Sequence, residues 1–397
     1  MAATQSNGVP SGPRPRLNIP GSSVSISVKI IDASTISNVP AQALFTPLVP
    51  GFTTAAAAPS FCFLLEHPSG QKVLFDLGIR KDWQNLAPAI VERFKKVGHQ
   101  PSAEKNVSEV LDEAGVGKEN INAVIWSHAH WDHLGDMSTF GPQTDLVVGP
   151  GFKDFFLGEG NGKNSTLGSV QPSDVEGRTV REIDFQGTKT HTIGRFKALD
   201  YFQDGSLYLL DTPGHCVGHL CALVRTTTNP DTFVFLGGDA AHHCGEVRPS
   251  AYVPMPQSIA TLNRATHADR QSASFTNSNM PVCPCSWFDE LQVSRNRDPA
   301  GPLWQPAFGH NMEEVMTTIE GMQEYDGDGN VFVILAHDPS LRCPEVPFFP
   351  EQVNNWKERG LGQKLRWVWT EEILAAIKTS NDPVDFFPRD ISTKIAT

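Results

Sequence analysis

One heptapeptide sets the terms for the rest of this chain: Ser127-His128-Ala129-His130-Trp131-Asp132-His133, directly after the apolar run Ala123-Val124-Ile125-Trp126. Three imidazoles and a carboxylate in seven positions, placed where a buried strand hands over to a polar loop, are hard to accommodate without a partner that satisfies them. His128 and His130, at i and i+2 on an extended strand end, project to the same side and can reach one cation. Asp132 and His133 can turn toward a second cation beside it. Nitrogen and carboxylate donors suit Zn²⁺, and Mn²⁺, Fe²⁺ and Co²⁺ also accept them. The heptapeptide thus offers two ligands to each of two metals.

The surrounding pattern alternates strands and helices. Residues 24–32 and the two runs within 60–78, joined by a Pro-Ser-Gly turn, read as strands, and 102–116 reads as a helix ended by Gly115. Further strands are expected at 144–149, 206–212, 219–226, 232–239 and 330–338, with a helix at 311–325. Three of these strands end in further donors: His215 after a Pro-Gly turn, Asp239 after two glycines, and His337. Segment 244–310 is rich in Pro, Ser and Asn, with one short helix expected near 257–269, and reads as a lid-like insertion over the sheet. The run 365–378 reads as a strand carrying Trp367 and Trp369 on one face, then a helix. It falls within C-terminal packing elements at 351–397.

With these residues in place, the chain resembles the metallo-β-lactamase superfamily, whose HxHxDH signature stands in full at 128–133, followed in order by His215, Asp239 and His337. The resemblance implies an αββα sandwich with a dinuclear site at one edge. It also implies two Zn²⁺, one held by His128, His130 and His215, the other by Asp132, His133 and His337, with Asp239 bridging. Asp76, at a strand end matching the superfamily's early Asp-Gly position, is expected to support a metal-binding histidine rather than to ligate. His242 stands where the lactonases of this superfamily that quench N-acyl homoserine lactone signals carry a tyrosine, and could meet a substrate carbonyl. His219 is expected to be a structural hydrogen-bonder.

Two cations and a shared water make hydrolysis of an acyl bond the expected chemistry, with metal-bound hydroxide attacking the carbonyl. Asp239 would carry a proton to the leaving group and Asp132 would orient the nucleophile. The lactonase-like pattern puts cyclic esters first and lactams beside them, and a thioesterase of the same fold is the alternative.

Composition bears on partners. A formal charge of −12 and the lack of any Lys/Arg cluster argue against nucleic acid. No apolar stretch is long enough for a membrane span, and the first residues lack the apolar middle of a secretory signal, so a cytoplasmic protein is expected. Residues 1–22 read as a flexible tail before a single domain at 23–397. The seven cysteines form no CxxC pair and read as reduced, buried thiols. The expected partner is a small, hydrophobic substrate.

Overall fold

The first sheet is laid down by short apolar strands: β1 (Ser27–Ile31), β2 (Cys62–Glu66), β3 (Lys72–Phe75), β4 (Ala123–Ile125), β5 (Asp145–Val148) and β6 (Val180–Glu182), in that spatial order. The structure is a computed structural model, and it describes residues 16–55, 57–158, 169–187, 190–260 and 282–380. β1, β2 and β3 pair antiparallel, while β3, β4, β5 and β6 run parallel. Ala123 pairs with Val73 and Ile125 with Phe75, so β3 and β4 end at the same edge.

The second sheet contains β7 (Thr190–Ile193), β8 (Phe196–Asp200), β9 (Leu207–Asp211), β10 (Leu220–Thr228), β11 (Asp231–Leu236) and β12 (Val331–Ile334), again in spatial order. It is antiparallel until β12 joins β11 in parallel. Between the sheets lies one buried cluster that takes Val28, Phe63, Phe75, Ile125 and Val147 from the first and Leu209, Ala222, Val234 and Ile334 from the second. Because β4 and β11 are buried on both faces, they read as continuous apolar runs rather than alternations.

Helices cover the outer faces. α1 (Pro88–Val97), α2 (Val107–Glu113) and α3 (Trp131–Leu134) belong to the first half, and Leu111 of α2 is buried with Leu74, Val124 and Leu146. α2 opens with a capping box in which Asn106 and Glu109 satisfy each other's backbone N–H groups. On the far side, α4 (Ser286–Ser294), α5 (Met312–Asp326) and α6 (Thr370–Thr379) bury Phe288, Met322, Tyr325 and Ile373 against Phe235 and Leu223. The result is the expected αββα sandwich.

Several expectations from sequence are corrected. Within the supposed tail, Leu17 is buried, its carbonyl accepts from Gly194 N at 2.8 Å, and Arg225 donates to Pro20 O. The described chain begins at residue 16, and 1–15 lie outside it. In the described parts of segment 244–310, Cys244, Val247, Trp287, Leu291 and Trp304 belong to the core rather than to a cover. Ser258–Ala260 is a strand paired with Val282–Pro284, not the start of a helix, and 261–281 fall outside the described residues. The helix of this segment is α4.

No strand forms at 365–369, where Val368 N and Thr370 N close turns onto Leu365 O and Trp367 O. The Arg366 carbonyl is taken instead by Arg248 Nη1 at 2.9 Å, which removes it from any ladder. Residues 381–397, part of the C-terminal packing region, are not among the described ones. β6, β7 and β8 went unread in the sequence because half-exposed strands such as Thr190–Ile193 lack a long apolar run.

Candidate metal centre

Strand ends deliver every expected donor to one edge. β4 leads into His128, His130 and α3, β9 into His215, β11 into Asp239 and β12 into His337. Two glycines make the tight approaches. Gly214 (φ 121°) sits where a Cβ would lie 2.3 Å from Val315 N of α5, and Gly238 (φ 50°) is packed on Ser127 and His219.

The donors form two groups that share Asp239. In the first, His128 Nε2 lies 2.8 Å from His130 Nδ1 and 3.2 Å from His215 Nε2, which is 2.9 Å from His130 Nδ1. Asp239 Oδ2 lies 3.7 Å from His128 Nε2 and 3.5 Å from His215 Nε2. In the second, Asp239 Oδ1 lies 3.1 Å from His133 Nε2 and 3.0 Å from His337 Nε2, with Asp132 Oδ2 at 3.4 Å from His337 Nε2. One carboxylate therefore turns a different oxygen to each group.

The hydrogen bonds behind these rings set their tautomers. Asp76, itself at φ 60°, accepts from Ser127 N at 2.6 Å, from Ser127 Oγ at 2.7 Å and from His133 Nδ1 at 2.9 Å. His337 Nδ1 donates to Pro59 O at 2.6 Å. Both rings thereby turn Nε2 toward Asp239. His219 Nδ1 donates to Thr212 O, and its Nε2 accepts the Asp239 backbone N–H at 3.2 Å. Asp76 and His219 thus support the donors, as expected from sequence.

The two groups hold protons differently. Burial, with the neighbouring histidines, holds His128 well below its usual range, and burial pushes His130 down to about 3. Burial and then His130 hold His215 down as well. The three rings that converge in the first group are consequently neutral, and each has one nitrogen free to bind a cation. In the second group burial works against the charges, but His133 and His337 outweigh it and hold Asp239 well below the carboxylate range. His133 is raised, since Asp239, Asp132 and Asp76 overcome its burial. His133 Nε2 and Asp239 Oδ1 are nevertheless buried with no hydrogen-bond partner among the described residues. Buried polar atoms left so are costly unless an ion or water completes them.

A cavity of about 160 Å³ opens over the two groups. His130, Asp132, Asp239 and His337 form its polar floor with His242, and Ile36, Leu44, Phe45, Phe94, Trp131 and Phe308 form apolar walls. α1 contributes Ile90 and Phe94, which with Leu86 make a small cluster apart from the main cores. α1 and residues 36–58, together with Phe308 from the inserted segment, therefore form the walls. His242 Nε2 lies 3.5 Å from Asp239 Oδ2, and its ring is parallel to that of His337 at 6.2 Å. Its backbone N–H and that of His243 are both held by Glu246 Oε2. Burial pushes Glu246 up to about 8. Sequence reasoning missed Glu246, Ser127 and the α1 wall. The Ser before the first histidine was the sole local signal among them.

Comparison with known proteins agrees with this geometry. The sequence profile described as "Metallo-beta-lactamase superfamily" matches residues 56–261. This chain belongs to that superfamily. Among relatives in the superfamily, the metallo-hydrolase mfmC of Annulohypoxylon moriforme is 40% identical over 372 residues, covering 92% of this chain and 92% of its own. The gamma-lactamase FDB1 of Fusarium pseudograminearum is 39% identical over 364 residues, covering 89% of this chain and 84% of its own. The cytochrome P450 monooxygenase mpaDE' of Penicillium brevicompactum is 40% identical over 92% of this chain, yet the match spans only 39% of that longer protein. A solved structure of Bacillus thuringiensis AiiA with N-decanoyl-L-homoserine bound superposes with a TM-score of 0.50 at 16% identity, over 83% of this chain and 99% of that one. This last likeness speaks to the fold alone. The superfamily's hydrolase members make this chain a metallo-hydrolase-like enzyme, and its His/Asp groups suit divalent metal.

Proposed function

We propose that this protein is a dinuclear metal-dependent hydrolase that opens a small cyclic amide or ester. The observation that carries the reading is Asp239, whose two oxygens face two separate donor groups. His128, His130 and His215 would hold one divalent cation, and Asp132, His133 and His337 the other, with zinc first among the metals that such donors suit. Cations held there supply Lewis acidity to a carbonyl and lower the pKa of water.

The chain's own groups do the rest. Asp76 and Pro59 O keep His133 and His337 presenting Nε2, which holds the floor of the cavity in one arrangement. Asp132 Oδ2, on that floor, is placed to orient a water, and Asp239 to pass a proton to the leaving nitrogen or oxygen. His242, pushed down to about 4 by burial, is a neutral imidazole at pH 7 and offers a substrate oxygen a ring N–H without a charge. The apolar walls exclude water from the ring being opened.

Lactams move ahead of lactones here because the relative named a gamma-lactamase is far closer in sequence than the lactonases of known structure. Among the described residues no helix is long and apolar enough to cross a membrane. Metal analysis coupled to a panel of five-membered lactams, lactones and thioesters tests the proposal. The expected result is about two metals per chain and turnover of the cyclic substrates. A protein without bound metal, or one that cleaves thioesters alone, would overturn it.

A further inference from the structure

At the cavity wall, beyond the metal groups, stands a pair that the reaction above does not use. His243 Nε2 and Glu372 Oε1 are 2.6 Å apart, and both residues line the cavity. They come from opposite parts of the chain: His243 from the loop after β11, Glu372 from the first turn of α6. The His243 ring has little freedom. Its Nδ1 accepts the Gly245 backbone N–H at 2.9 Å, which puts its proton on Nε2, facing Glu372. Phe45 at 5.7 Å, Trp304 at 4.9 Å and Trp369 at 5.6 Å surround it edge-on. Phe45 and Trp304 are stacked on each other at 4.5 Å.

Such a rigid cage does one thing for its neighbour: it fixes the direction of a carboxylate. The Glu372 side chain keeps 22% of its exposure while that of His243 keeps 7%, so the pair is sealed on the histidine side and open on the glutamate side. Among the described residues Glu372 is hydrogen-bonded to His243 alone. A carboxylate has about four acceptor positions, and one N–H fills one of them. Away from the floor, the cavity is mostly hydrocarbon and aromatic, with Arg93, His99 and Ser169 as further polar members.

We propose that Glu372, aimed by His243, is a specificity-determining residue that accepts a hydrogen bond from a hydroxyl or N–H carried on the substrate's ring system. This rests on the reading of the cavity as the substrate site. Size narrows the class further. At about 160 Å³ the cavity compares with the engineered cavity of about 150 Å³ that takes up one benzene. It therefore fits a compact ring, such as an aromatic-fused lactam or lactone with a donor substituent, and a long acyl chain would have to lie outside it. A neutral donor is favoured over a cation because the Arg93 guanidinium borders the same space and the floor carboxylates Asp132 and Asp239 belong to the metal groups.

The test uses ligands that cannot be hydrolysed, so its outcome is independent of the proposed reaction. Calorimetry on the metal-loaded protein compares a naphthol with its methyl ether, which has the same ring and no donor. Wild type is expected to prefer the naphthol by about tenfold, the scale of one hydrogen bond to a charged group. Glu372→Met should bring the preference below about twofold while the methyl ether binds as before. That unchanged binding also shows that the pocket remains folded. Glu372→Gln, nearly the same shape, should give an intermediate preference. His243→Phe, which keeps a ring within the cage, should lower it without touching affinity for the ether. A wild-type protein that does not distinguish the two ligands overturns the proposal. So does a preference that survives in Glu372→Met, since the metal donors are intact there and coordination of the naphthol would explain it. Lactam hydrolysis measured alongside reports on the reaction separately.

Discussion

Asp239 and Asp326 are both buried carboxylates, and they are treated in opposite ways. Asp326, at the end of α5, receives a two-pronged bond from Arg248: Nε to Oδ2 at 2.8 Å and Nη2 to Oδ1 at 2.6 Å. The same guanidinium spends another N–H on the Arg366 carbonyl. Such pairing is the ordinary means of keeping a charge in a core. Asp239 has no guanidinium beside it, only imidazoles and the Asp132 carboxylate, and its Oδ1 has no hydrogen-bond partner among the described residues. A chain able to satisfy one buried carboxylate so fully leaves the other for something that binds it. On the proposed reading, the contrast separates a charge used for architecture from one kept for chemistry.

The strongest way to break the contrast is Asp239→Asn. It is expected to lower kcat/KM on the best cyclic substrate by more than about a thousandfold, ~4 kcal/mol in the transition state, and to reduce bound metal. Its urea midpoint without metal should also fall, because His133 and His337 hold the ionised carboxylate in the folded state, so activity is compared on the folded fraction. Retained activity would remove Asp239 from the chemistry. The reciprocal change, Asp326→Ala, strands Arg248 in the core and should cost about 3–5 kcal/mol of stability by denaturant titration, with metal stoichiometry kept in the folded fraction.

A smaller effect is expected one step back from the donors. Asp76→Asn leaves His133 in place but weakens the acceptor that fixes its tautomer, and should lower metal affinity or activity about 10–100-fold. The decrease should fall on one metal of two, which a chelator titration with two resolved steps would show.

The smallest effect is a pH dependence. Burial raises Asp326, but Arg248 outweighs it and holds the carboxyl below its usual range. Its stabilising contribution is therefore present above the unfolded carboxylate value near about 3.9, and is lost as pH falls through the depressed folded value. Wild type should lose stability on that acid limb more steeply than Asp326→Asn. Parallel limbs would show that Asp326 has the same pKa folded and unfolded.

The sequence displayed the donors because each one ends an apolar run. His215, Asp239 and His337 stand at strand ends, and 128–133 packs its donors into one loop. The αββα arrangement followed from the same runs once the family resemblance was recognised. Residues that act across the fold carried no such mark. Glu372 lies 129 positions from His243, within an otherwise unremarkable helix start. Arg248 sits in a Pro-rich segment that reads as a surface cover, yet it is buried against Asp326. The role of α1 was hidden for a related reason: its apolar positions Ile90 and Phe94 look the same in sequence whether they face a core or a cavity.

The position of β12 has a consequence for how the protein is made. β12 is the edge strand of the second sheet and carries the last donor, His337, long after Asp239 has completed the three-histidine group. A chain leaving the ribosome exposes every donor of the first group before α5 and β12 have been synthesised. The second group has to wait for them. If metal binds as proposed, its capture during synthesis has a built-in order, with the donors of the imidazole-rich group all present while the carboxylate-rich one is still open.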